Sequence, residues 1–120
     1  MAQVKVRRFT LDAGDKNAQN ELILTLDSSN LGFNPVQVYT KAQIACNAYD
    51  NAGTFTVEFR PAGADADFFM PFTTQQDAGN AGEDTVIIGR DVDPLFDALR
   101  ITFAGVAADD VEVYVGFIAG

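Results

Sequence analysis

Apolar and polar residues alternate with period two along most of this chain. Clusters of Gly, Pro, Asn and Asp interrupt the alternation about every ten residues, the pattern of short strands joined by turns. The clearest stretch is the last, Ala98–Ile118. Leu99, Ile101 and Phe103 alternate with Arg100, Thr102 and Ala104. After a small acidic connection, Gly105–Asp110, the residues Val111, Val113, Val115 and Phe117 alternate with Glu112, Tyr114 and Gly116. Successive strand side chains point to opposite sides, so this stretch predicts a hairpin with all seven apolar side chains on one sheet face.

Upstream, Val4 and Val6 alternate with Lys5 and Arg7 before Arg8, Phe9, Thr10 and Leu11 follow. This predicts a first strand with a bulge at Arg7–Arg8 that changes which residues face inward. Asp12–Asn20 is a polar loop, and Leu22, Leu24 and Leu26 mark a second strand. Asp27–Pro35 is another loop, in which Asn34-Pro35 imposes extended or turn geometry. Val36–Tyr49 keeps period two for so long that it reads as one bent strand or as two strands meeting near Lys41. A helix from Thr40 to Ala48 is the rival, because alanine favours it; alternation on both sides favours strand.

Asp50-Asn51-Ala52-Gly53 carries a hairpin turn signal. Phe55, Val57 and Phe59 then define a half-buried strand closed by Pro61–Asp67. Phe68–Phe72 is an apolar knot whose Pro71 excludes a central strand. Thr73–Asp84 is a long polar segment expected as an exposed loop, Thr85–Ile88 a short strand, and Gly89–Asp97 a turn into the final pair. The sum is a single all-β domain over residues 1–120. It is an antiparallel β-sandwich of about eight strands, with an N-terminal strand or arm at about 1–11. Jelly-roll and immunoglobulin-like Greek-key orders both fit. The core is expected to contain Phe55, Val57, Phe59, Leu99, Ile101, Phe103, Val113 and Val115.

Composition narrows the function. Ten Phe and no Trp among 120 residues suit a core between two sheets. The net charge of −9 opposes contact with a nucleic-acid backbone or an anionic membrane, so neither is expected as a partner. No apolar run reaches the roughly 20 residues of a membrane helix. The N-terminus lacks a charged-then-apolar leader pattern, so synthesis in a cytoplasm is expected. Cys46 is the only cysteine, and its alternation with Ile44 and Ala48 predicts a buried hydrophobe.

With no histidine, a serine or cysteine nucleophile lacks its usual base, and thiolate–imidazole zinc sites are ruled out. No glycine-rich phosphate loop is present. Carboxylates come in pairs at Asp65/Asp67, Asp91/Asp93 and Asp109/Asp110, all in expected turns, where Asp serves local hydrogen bonding. Asp91 and Asp93, with Asp97, are the weak candidates for a calcium site, though their spacing departs from that of an EF-hand. The expectation is therefore no catalysis and no cofactor. Lys5, Arg7 and Arg8 form the only basic cluster, read either as charges protecting an edge strand or as an interface for an acidic partner.

The segments Gly53–Gly63 (GTFTVEFRPAG), Val86–Gly89, Leu95–Thr102 (LFDALRIT) and Val111–Phe117 resemble small β-sandwich virion proteins of tailed bacteriophages. The likeness covers the C-terminal two-thirds and lies in strand and turn style, with a strand of "RIT" type pairing the last strand. It implies a structural protein without catalytic residues: a decoration or cement protein that binds the major capsid protein on the capsid exterior and stabilises the assembled head, itself a homo-oligomer. A tail or neck component, and a carbohydrate- or calcium-binding module, are the alternatives.

Overall fold

A computed structural model describes residues 3–32, 41–47, 53–73, 76–77, 85–89, 96–105 and 110–119. The longer strands are β1 (Gln3–Leu11), β2 (Leu22–Leu26), β3 (Lys41–Asn47), β4 (Thr54–Pro61), β7 (Thr85–Gly89), β8 (Phe96–Ala104) and β9 (Val111–Ala119). Two further strands, β5 (Met70–Pro71) and β6 (Gln76–Asp77), have two residues each. They run one after the other along the same edge of β4, opposite Glu58–Phe59 and Thr54–Phe55. Pro71 therefore lies on an edge strand, as its missing N–H requires.

The strands form two antiparallel sheets, β1-β9-β3-β7 and β2-β8-β4-β5 with β6 beside β4. Outer strands pair with late ones and inner strands with later-middle ones, so β1 meets β9, β2 meets β8 and β3 meets β7. This nested order is that of a jelly roll, which resolves the choice against the immunoglobulin-like order. Apart from β4 to β6, every successive pair of strands lies in different sheets.

That order corrects two expectations. β8 and β9 form no hairpin, because β8 lies at the centre of one sheet and β9 at the centre of the other. Their seven apolar side chains lie on two facing surfaces, not one. Likewise β3 and β4 belong to different sheets, so the two strands form no hairpin. Alternation marks which side of a strand faces inward, but a sheet facing the core from above and one facing it from below have the same pattern. Asp50–Ala52 themselves, like Val36–Thr40, Asn34-Pro35, Asp91 and Asp93, lie outside the described residues. Lys41–Asn47 is strand and not helix, as alternation favoured.

The expected bulge at Arg7–Arg8 is absent too. β1 pairs with β9 without interruption from Gln3 opposite Ala119 to Leu11 opposite Val111. One phase of an unbroken strand must face outward. Phe9 and Leu11, the larger apolar pair, pack against the core, and Val4 and Val6 remain outside. The irregularity falls instead on β8 against β4, where Arg60 is opposite Ala98 and Pro61 opposite Phe96. The extra residue, Asp97, lets Phe96, Ala98 and Leu99 all turn inward. Its carboxylate is held by Arg60 at 2.6 Å.

One core cluster joins the inner faces of both sheets: Leu22, Leu24 and Leu26 of β2, Ile44 and Cys46 of β3, and the alternating residues of β4, β8 and β9. All eight expected core residues are in it. Phe55 and Phe103 stack across β4 and β8 with ring centroids 5.9 Å apart, and Phe72 meets Phe59 edge-on at 6.4 Å. The loop after β2 adds a short helix, α1 (Ser28–Leu31), whose signal in the sequence is Asp27 three residues before Asn30. Asp27 accepts from the Ser29 amide, and the Asn30 side chain accepts from the Asp27 amide. The Ser29 hydroxyl donating to Asp27 holds that carboxyl below the usual aspartate range. The cap is thus complete above that range and is lost as pH falls through the lowered value. Gly32, at φ 83°, ends the helix in the left-handed region, and Leu31 is buried beneath it.

Phe103 is fully buried at the centre of this core, so Phe103→Ala is expected to destabilise the fold by about 3–5 kcal/mol. Chemical denaturation reads this directly; an unchanged midpoint would place the side chain on the outside and contradict the register.

Candidate interaction surface

The two outer faces of the sandwich differ in chemistry. Ile23, Thr25, Thr56, Glu58, Arg100 and Thr102 form cross-strand rows on the outside of the β2-β8-β4 sheet. Arg100 binds Glu58 at 2.9 Å and lies over the Phe69 ring at 4.3 Å. A polar depression of about 500 Å³ opens there beside the Asn17–Glu21 turn, and no aromatic side chain lines it.

The outside of the β1-β9-β3 sheet is apolar at one end. Val4 is opposite Ile118, which is opposite Lys41; Val6 is opposite Gly116, which is opposite Gln43; Arg8 is opposite Tyr114, which is opposite Ala45. Val4 and Val6 are each 64% exposed, and Tyr114 and Ile118 are each 37% exposed. Because Gly116 has no side chain, the face is indented there, giving an apolar groove of about 250 Å³.

The three basic residues of β1 do not form one patch. Lys5 and Arg7 share the strand phase of Phe9 and Leu11, whereas Arg8 shares that of Val4 and Val6. Arg7 donates through Nε to the Leu31 carbonyl at 3.2 Å, at the end of α1. Arg8 pairs with Glu112 and lies 5.6 Å from the centre of the Tyr114 ring. Glu112 also accepts from the Tyr114 hydroxyl. Lys5 is exposed on the edge strand.

Among the acidic candidates, Asp97 is engaged by Arg60, so a cation there would have to displace a guanidinium. Asp65 and Asp67 are exposed in the turn before β5, where the Asp65 carbonyl accepts from the Phe68 amide at 3.0 Å. Asp110 is exposed, and Asp109 lies outside the described residues. Among the described residues no group of three or more Cys, Asp or Glu side chains converges as a metal site. Among the described residues no helix is long and apolar enough to cross a membrane.

The groove was missed in the sequence because Val4 and Val6 read as inward residues of a bulged strand. The available signal was Gly116 between Tyr114 and Ile118, the outward phase of a central strand.

Fold and surface together define an all-β jelly-roll protein with one polar and one partly apolar outer face. No family model and no curated protein matches the chain. Among solved structures it is similar to a de novo designed double-stranded β-helix solved by NMR, at TM-score 0.37 and 12% identity over 92% of this chain and 95% of that one. A protein of Bacillus endospore appendages, described as a novel family of disulfide-linked pili, aligns at TM-score 0.38 and 11% identity over 99% and 86%. The decameric BFDV capsid protein aligns at TM-score 0.45 and 6% identity over 99% and 95%. None of these likenesses assigns a role.

Cys46 is enclosed by the core, and burial pushes its thiol up to about 12. A free thiol ionises near 8.5, so its reactivity climbs between about pH 7 and pH 9. The folded protein is expected to resist an aromatic disulfide reagent across that range and to titrate fully after unfolding in denaturant. Rapid reaction of the folded protein would contradict the enclosure.

Proposed function

We propose that this chain is a structural subunit that decorates an assembled protein shell, in the manner of the capsid decoration and cement proteins of tailed bacteriophages. It is made in the host cytoplasm and comes to lie on the capsid exterior, against the major capsid protein. It acts by burying surface, not by chemistry. The observation that carries this reading is the character of β1. Among the described residues it is an edge strand, with apolar residues exposed and a basic charge at Lys5, on a chain whose net charge is −9. Residues 1–11 contain three basic and no acidic residues, so the remainder of the chain stands at −12 (−9 less +3).

An edge strand presents unpaired backbone donors and acceptors, which an extended segment of a shell protein can extend as a further strand. Lys5 beside that edge favours an acidic segment and rejects a basic one. The motif likeness at Gly53–Gly63 and Leu95–Thr102 supports a virion role for such an edge. Its pairing element does not, since β8 and β9 do not pair.

Co-sedimentation with purified heads and purified tails of the encoding phage tests the reading. Binding to heads is expected at low salt. Lys5→Glu should weaken it several-fold at 0.1 M salt and less at 1 M, because the Debye length falls from about 10 Å to about 3 Å. Lys5 is exposed on its strand, so the fold should be unaffected. Binding to tails alone would move the role to a tail or neck component; binding to neither would overturn it.

A further inference from the structure

The groove over Gly116 and the loop before β5 are complementary. Val4, Val6, Tyr114 and Ile118 wall the groove, Gly116 forms its floor, and Lys41 stands at its end. Glu112, the one carboxylate on this face among the described residues, is tied to Arg8 and the Tyr114 hydroxyl. The groove is therefore an apolar slot with a basic end.

The loop before β5 is the opposite form. Phe68 is 52% exposed and Met70 is 41% exposed, with exposed Asp65 and Asp67 immediately before them. The loop is held in place from below. Arg60 donates to the Ala66 carbonyl at 3.4 Å, Arg100 lies over Phe69, and the Phe68 amide closes the turn on Asp65. A knob already fixed in position loses little conformational entropy on docking. A cavity of roughly 150 Å³ already admits benzene, so a groove of about 250 Å³ has room for the Phe68 ring.

The two features cannot meet within one copy. The knob belongs to the edge of the β2-β8-β4 sheet, and the groove opens on the outer side of the other sheet, which points away from it. We infer that the groove over Gly116 receives the Phe68–Met70 knob of a second copy of this chain, with Asp65 and Asp67 facing Lys41. Each copy then offers one knob and one groove, so the contact is head to tail and builds a ring or a filament. This concerns the isolated protein and does not depend on what shell, if any, it decorates.

Two variants isolate the two halves. A Cβ placed on Gly116 meets nothing within 4 Å, and the residue has no left-handed φ, so Gly116→Val fills the groove without strain. Its thermal stability should be unchanged or raised, since valine suits a strand better than glycine. Phe68→Ser removes the knob from an exposed position. Sedimentation velocity of the wild-type protein up to the millimolar range should show concentration-dependent association at low salt, weakened at 1 M. Each variant alone should associate about tenfold or more weakly. Mixed together, they should form a one-to-one complex that grows no further, because one retains the knob and the other the groove. A monomeric wild type, undiminished association of either variant, or a mixture without heterodimers would overturn the inference.

Discussion

Burial of β8 and β9 in one core from opposite sheets is the constraint on which the other elements depend. Each strand is central in its sheet, with β2 and β4 flanking β8, and β1 and β3 flanking β9. Leu99, Ile101, Phe103, Val111, Val113, Val115 and Phe117 are all fully buried. Burial of such a side chain contributes about 1.5–3 kcal/mol, whereas an exposed ion pair such as Arg8–Glu112 contributes about 1 kcal/mol or less. The inner faces therefore decide the fold, and surface charges adjust around them. Asp97 illustrates the order of precedence. The local irregularity serves Phe96, Ala98 and Leu99, and Arg60 accommodates the displaced carboxylate.

Which residues face inward was legible in the sequence wherever alternation was clean, as at Leu22–Leu26, Phe55–Phe59 and Val111–Phe117. Partner choice was not. A strand followed by a small turn and a second strand looks like a hairpin whether the chain returns to the same sheet or crosses to the other. β8 and β9 lie in different sheets. β1 was misread for a related reason. Its inward phase could be set by Val4 and Val6 or by Phe9 and Leu11, and only regular pairing with β9 decides between them. The basic cluster divided as a consequence, leaving Arg7 at the end of α1 and Arg8 on the outer face.

The interaction surface follows from the same register. Because β1 is unbroken, two valines are exposed beside Gly116, and the outer face of that sheet becomes apolar where the other is threonine-rich and ion-paired. Isolated exposed hydrophobes are ordinary, whereas a contiguous group around a groove is the feature on which the proposed docking rests. Jelly rolls serve many functions, so the fold by itself names none. The distribution of exposed side chains is what supports the proposed assembly role.

Interstrand proton contacts in solution by NMR test the nested order most directly. Val115 is the informative residue, since it lies between Arg7 on one side and Ile44 on the other. The account predicts backbone contacts from β9 to both β1 and β3, and from β8 to both β2 and β4. A ladder of contacts joining β8 to β9 across Gly105–Asp110 would contradict it and restore the hairpin.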